Sequence, residues 1–257
     1  MKAVILAGGF GTRLSEYTDS VPKPMVHIGE YPILFHIMNH YASYGVKDFI
    51  VACGYKSEII KQYFLNFSAL NSDFSVNLAS GNVEISNKSL LDWNITLVDT
   101  GNESMTGGRL KRLKPYLEED NFFLTYGDGL SDVNIQETLD FHEYHKKLVT
   151  ISAVKPISRF GELEISEDNK VSSFEEKPQS GNGRINGGYF VMNKKFLDFI
   201  EGDLTILEQE PLINAAKKGE MMAYNHDGFW QCMDTKRDVD YLNSIWSLKE
   251  NRWNFVA

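Results

Sequence analysis

Cysteine is scarce: Cys53 and Cys232 are the only two in 257 residues. That is too few for a disulfide framework, and no paired Cys or Cys/His spacing of the zinc type occurs, so a reducing, cytoplasmic setting is expected. Basic charge is also short, with 26 Lys and Arg against 35 Asp and Glu and a formal charge of -9. A general nucleic-acid binder needs a basic face to displace phosphate counterions, so that class is excluded and any phosphate site must be local. No apolar run approaches the roughly eighteen residues of a membrane span, and neither end carries a lipidation motif, so no membrane insertion is expected. The opening MKAVILAGGFGTRL breaks into glycines without a small-residue cleavage site and reads as a strand, not a signal peptide. His27, His36, His40, His142, His145 and His226 are scattered with no HExxH pair, and covalent catalysis is not expected. Low-complexity linkers, charge blocks and internal repeats are missing, so residues 1–257 read as one domain.

What is present is alternation. Lys2 to Ala7 is a continuous apolar run of strand length, as in a central parallel strand buried on both faces. Ile33, Leu34, Ile37, Met38, Tyr41 and Ala42 then repeat at helical spacing, with Pro32 at the start and Gly45 at the end. Asp48 to Cys53 reads as a strand and Ser57 to Phe64 as a helix, the signature of a doubly wound α/β sheet that binds ligands at its strand ends. Residues 70–99 interrupt this rhythm with alternating Phe74, Val76 and Leu78, then Val83 and Ile85, then Ile95, Leu97 and Val98, which predicts an antiparallel β excursion. Helix is expected over 106–117, strand over 122–126, helix over 135–146 and strand over 149–154. Later strands are expected at 161–166, 171–176, 186–192 and 221–225, with helices near 207–218 and 236–249.

The chemistry starts at the end of the first strand. Leu6-Ala7-Gly8-Gly9-Phe10-Gly11-Thr12-Arg13-Leu14 places three glycines where backbone N–H groups can approach a phosphate without Cβ obstruction. It is neither a Walker A loop nor the dinucleotide fingerprint, since Leu14 stands where the third glycine belongs. Glycines alone specify only a tight turn, but Arg13 adds a guanidinium able to grip phosphate oxygens in a fork. In Val21-Pro22-Lys23-Pro24-Met25, two prolines stiffen the chain around Lys23 and restrict where its ammonium can point. Asp128, in Tyr126-Gly127-Asp128-Gly129, and Asp234, after Trp230 to Met233, are hard oxygen ligands suited to Mg²⁺. Each also has a plain reading, Asp128 as turn chemistry and Asp234, next to Thr235, as a helix cap.

The GGxGTRL loop followed by a Lys-Pro pair resembles the opening of the sugar-phosphate nucleotidylyltransferases. Thr125 to Gly129, Phe174-Glu175-Glu176-Lys177-Pro178, Asn186-Gly187-Gly188-Tyr189 and Gly228 to Thr235 resemble that family's further motifs in order, over essentially the whole chain. The resemblance implies a Rossmann-like, GT-A-like α/β fold with a doubly wound mixed sheet and a small antiparallel β excursion. It also implies a Mg²⁺-dependent in-line displacement, with no protein nucleophile. Arg13, Lys23 and Asp128 would be catalytic, and Asp128 and Asp234 would hold the metal. Leu6, Ala7, Gly8, Gly9, Gly11, Thr12, Arg13, Lys23, Ser104 and Arg109 would bind the nucleotide, and Glu175, Lys177 and Asn186 the sugar phosphate. Within the family, Met105 to Arg112 and Leu207-Glu208-Gln209-Glu210-Pro211-Leu212 resemble the branch that joins CTP and glucose 1-phosphate. That branch serves dideoxyhexose and O-antigen synthesis and implies a homo-oligomer, a hexamer. UTP- or dTTP-using enzymes of the same class are the alternative, and a silent sugar-nucleotide sensor is disfavoured because Arg13, Lys23 and both aspartates are kept. A metal-dependent glycosyltransferase is disfavoured by the missing Asp-x-Asp.

Overall fold

A computed structural model describes residues 1–86, 91–156, 162–165, 170–175 and 183–253, with the backbone alone for 162–165 and 172–175. Its centre is a seven-stranded sheet. The strands are β1 (Ala3–Leu6), β2 (Asp48–Cys53), β3 (Asn94–Asp99), β4 (Asn121–Tyr126), β5 (Val149–Val154), β6 (Ile185–Asn193) and β7 (Met221–His226). Their spatial order is β3-β2-β1-β4-β6-β5-β7, and β6 alone runs against its neighbours. Around the sheet lie α1 (Ile33–Ser43), α2 (Ser57–Leu70), α3 (Thr106–Arg112), α4 (Ile135–His145), α5 (Glu210–Lys217) and α6 (Lys236–Ser247).

The continuous apolar runs of β1, β2 and β4 are explained by burial on both faces. Ala3, Ile5, Phe49, Val51, Cys53 and Phe123 face one core with α1 residues Ile33, Ile37 and Tyr41 and with Val239 and Leu242 of α6. Val4, Leu6, Ile50, Ala52, Phe122 and Leu124 face a second core with Leu110, Leu113, Phe196 and Leu212. Alternate residues of each strand thus feed opposite layers, as the period-two geometry of a strand requires.

Several expected elements move. Asn94–Asp99 does not belong to the antiparallel excursion; it is β3, paired parallel to β2 from Asp48↔Asn94 to Cys53↔Asp99. Its Ile95, Leu97 and Val98 join the two main cores, which offer far more apolar contact than a lone ribbon does. The excursion shrinks to a hairpin of Asp73–Val76 with Val83–Ser86. Trp93, just before β3, packs on Phe35 and Phe49 with ring centroids 5.1 and 5.5 Å away. α2 runs on to Leu70 because Phe67 in its added turns stacks 5.5 Å from Phe35. α3 stops at Arg112, and Pro115, which has no N–H, leaves only a tight turn at Lys114–Tyr116. A two-stranded ribbon of Gly129–Ser131 with Trp230–Cys232 was not anticipated. Among the described residues no helix is long and apolar enough to cross a membrane.

Candidate active site

The carboxyl ends of β1 and β4 open into a cleft of about 1300 Å³. Every expected site residue whose side chain is described lines it. The glycine loop leaves β1 as one wall, and Gly11 needs its glycine, sitting at φ 65°. Among the described residues, no protein group accepts from the amides of Gly8, Gly9, Phe10 or Gly11, so this wall is a run of free N–H donors. A Cβ on Gly9 would meet nothing within 4 Å, which leaves the backbone open to the cleft.

A second wall brings together groups far apart in sequence. The short ribbon pairs Gly129 with Cys232, and the Met233 amide donates to the Asp128 carbonyl at 2.8 Å. That register sets Asp128 beside Asp234. Thr235, not Asp234, caps α6 in a capping box with Asp238, so the cap reading of Asp234 gives way and its carboxylate is available to the cleft. Lys23, held in the Pro22-Lys23-Pro24 turn, donates to Asp128 Oδ2 at 2.6 Å and to Asp234 Oδ1 at 2.5 Å. Arg13 Nη1 donates to Asp234 Oδ2 at 2.6 Å from a largely exposed side chain. Burial opposes the charge on Lys23, but the Asp128 carboxylate and the hydrogen bonds to both aspartates outweigh it and hold the ammonium above its ordinary pKa.

The donor set suits a divalent cation. One ligand atom each from Asp128, Asp234 and Cys232 lies within 4.8 Å of the others. The two carboxylates are hard oxygens of the kind Mg²⁺ selects. Burial, then the Asp128 charge, pushes the Cys232 thiol well up, so it stays protonated beside them.

The third wall carries polar groups for a substrate's other ends. Asn186 Nδ2 donates to Tyr126 Oη at 3.2 Å, and Asn186 Oδ1 accepts from the Gly188 amide at 2.7 Å. Ser104 is buried where the loop before α3 lines the cleft. Arg109, expected at the nucleotide, lines the cleft and also supports that loop. Its guanidinium lies buried beneath that loop, with Nη1 donating to Thr100 Oγ1 at 2.9 Å and the Gly101 carbonyl at 2.6 Å and Nη2 to the Asn102 carbonyl at 3.0 Å. It lies flat on two glycines, and a Cβ on either Gly8 or Gly54 would fall 2.3 Å from its Nη1. The side chain of Glu175 and the whole of Lys177 fall outside the described residues. Tyr126, Glu208 and Trp230 also line the cleft without having been singled out, although each stands in a motif segment quoted above.

A mostly parallel sheet with a cleft at its strand ends, and free glycine-loop amides beside paired aspartates, fits a nucleotide-transferring class. The chain belongs to the nucleotidyl transferase family, whose model matches residues 2–251. It is 52% identical, over 98% of both chains, to the glucose-1-phosphate cytidylyltransferase of Salmonella typhi. The identity and coverage are the same for the glucose-1-phosphate cytidylyltransferase of Salmonella typhimurium. In three dimensions it resembles HddC from Yersinia pseudotuberculosis, with a TM-score of 0.71 and 24% identity over 95% of this chain and 99% of that one. That last likeness is one of fold alone, a mixed α/β fold.

Proposed function

We propose that the chain is a glucose-1-phosphate cytidylyltransferase, joining CTP and α-D-glucose 1-phosphate into CDP-glucose and pyrophosphate. The observation that carries this reading is the bridge of Lys23 between Asp128 and Asp234 beside the free amides of the glycine loop. Two anionic substrates must meet in line there, and each needs its charge matched and its direction set. The Gly8 to Gly11 amides, with Thr12, Arg13 and Lys23, hold the triphosphate and receive the charge that develops on departing pyrophosphate. A sugar-phosphate oxygen attacks the α-phosphorus directly, and the bond from that phosphorus to the bridging oxygen of pyrophosphate breaks. No side chain becomes covalently attached. Asp128 and Asp234 are the residues we assign to Mg²⁺, which when bound neutralises phosphate charge and orients the α-phosphate.

Specificity has a site at each end. The loop around Ser104, braced from below by Arg109, is the assigned cytosine reader; a rigid polar loop distinguishes the amino group of cytosine from the carbonyl of uracil. Asn186 is assigned to glucose hydroxyls, with Glu175 and Lys177 completing the sugar-phosphate site by resemblance. The 52% identity over nearly the whole chain supports the choice of CTP and glucose 1-phosphate. We also assign the enzyme to the cytoplasm, as a homo-oligomer supplying surface-polysaccharide synthesis.

Pyrophosphate release with CTP, UTP and dTTP, each against several hexose 1-phosphates, with Mg²⁺ and with chelator, tests the reading. Activity is expected to need the divalent ion, and the specificity constant for CTP should exceed that for UTP by at least about 100-fold. Comparable constants for the two would remove the cytidylyl assignment while leaving family membership intact.

A further inference from the structure

Glu208 stands just before α5 and lines the cleft. A carboxylate on the wall of a cleft for two anions is repulsive to both unless donors engage it. Two do: Tyr126 Oη donates to Oε1 at 2.5 Å, and Thr106 Oγ1 donates to Oε2 at 2.7 Å. Thr106 Oγ1 in turn accepts from the Leu207 amide at 2.9 Å, so both hydroxyls have fixed directions. Tyr126 has only one proton to give, and it goes to Glu208. Its oxygen is left to accept, which it does from Asn186 Nδ2 at 3.2 Å. The Gly188 amide, 2.7 Å from Asn186 Oδ1, fixes the other end of that side chain. The second N–H of Asn186 has no protein acceptor among the described residues.

We propose that Glu208 is a positioning residue for the sugar end of the site. By taking the Tyr126 proton it makes the phenol an acceptor for Asn186, and so presents the remaining Asn186 N–H as a donor to a hexose hydroxyl. The chain of donors runs from Asn186 to Tyr126 to Glu208, with Thr106 holding the carboxylate from its other side. Burial and the Glu208 charge both push the Tyr126 phenol well above its ordinary pKa, so its proton stays in place across the working range. In Glu208→Ala the carboxylate that takes the Tyr126 proton is gone. Tyr126 is then released to donate to Asn186, which has to turn its amide and lose the donor it offers. The inference rests on the assignment of Asn186 to the sugar made above.

Steady-state kinetics of wild type, Glu208→Ala, Tyr126→Phe and the double variant, with each substrate varied in turn, provide the test. Loss of the Asn186 hydrogen bond to a hexose hydroxyl predicts a KM for glucose 1-phosphate about tenfold higher in Glu208→Ala, with kcat and the KM for CTP held within about twofold. Tyr126→Phe should give a similar split, and the double variant should be no worse than Tyr126→Phe alone, since both act through one oxygen. An unchanged sugar KM, equal rises in both KM values, or effects that multiply in the double variant would overturn the proposal. If Glu208→Ala does not fold, the sugar KM of Tyr126→Phe decides between the same two outcomes. Failure of wild type with glucose 1-phosphate would count against the functional assignment instead, and the split is then read with the hexose 1-phosphate that wild type does use.

Discussion

At the scale of single residues, Lys23 decides most. Two carboxylates brought within ligand distance of one another repel, and the ammonium hydrogen-bonded to both offsets that repulsion in a partly buried setting. The turn around Lys23 was legible because prolines limit a backbone whatever surrounds it, and Arg13 was legible because it follows the glycines directly. Arg109 was legible only as a residue of the cleft. Its hydrogen bonds to the Gly101 and Asn102 carbonyls and its packing against Gly8 and Gly54 are not written in the Gly-Gly-Arg string. Lys23→Ala is expected to lower turnover by roughly 100-fold or more, as loss of a group matched to transition-state charge does. Stopped assays beside a far-ultraviolet circular dichroism spectrum check it: the spectrum should match wild type, and near-normal turnover would remove Lys23 from the chemistry.

At the scale of elements, the ribbon of Gly129–Ser131 with Trp230–Cys232 sets the aspartate pair, and at three residues a strand it was too short to stand out by periodicity. The long buried strands were read nearly to the residue because each is apolar on both faces. β3 was misplaced because its alternation, taken alone, fits a ribbon as well as the edge of a sheet. The ribbon is anchored from behind by His226, whose Nε2 lies 2.9 Å from Asp132 Oδ1, while Ser131 Oγ donates to the Phe229 carbonyl at 2.8 Å. Burial works against the His226 charge, yet the Asp132 carboxylate paired with it and the Phe229 carbonyl raise its pKa above the ordinary value; Asp132, burial notwithstanding, is held low by His226. A histidine that binds its proton more tightly folded than unfolded contributes fully below its unfolded value of about 6.5, and loses that contribution as pH rises through the raised folded value. Wild type should therefore exceed His226→Gln in stability by roughly 1–2 kcal/mol near pH 6, and the gap should narrow toward pH 9. Urea melts of both proteins across that range measure it; a gap that widens with pH would show that the pair does not form.

At the scale of the whole molecule, the walls of the cleft come from segments that the chain order scatters: the loop after β1, the loop before α3, the end of β4, the start of β6 and the turn before α6. Motif order could announce these segments, but which of them touch is set by the sheet order and by the reversed β6, and neither is written in local pattern. The same distinction applies to the apolar surface. Phe74, Val76, Leu78 and Val83 of the hairpin and Leu65 and Leu70 of α2 are all exposed, Leu78 at 91%, whereas Trp93, just before β3, is taken up by Phe35 and Phe49 of the parent core. A soluble chain rarely leaves so many large apolar side chains on one ribbon and the helix leading into it. A second copy of the chain is the occupant we assign, because closed symmetry buries every copy of a self-complementary face at once. Light scattering coupled to gel filtration should give a mass that is a multiple of 29.3 kDa. Placing a charge there, as Val76→Lys or Leu78→Lys, costs the protomer little because neither side chain is in its core, but it would bury an unpaired ammonium between subunits. Either variant should shift the mass to that of one chain while its melting transition stays cooperative. A wild-type protein of monomer mass with full activity would leave the face without this role.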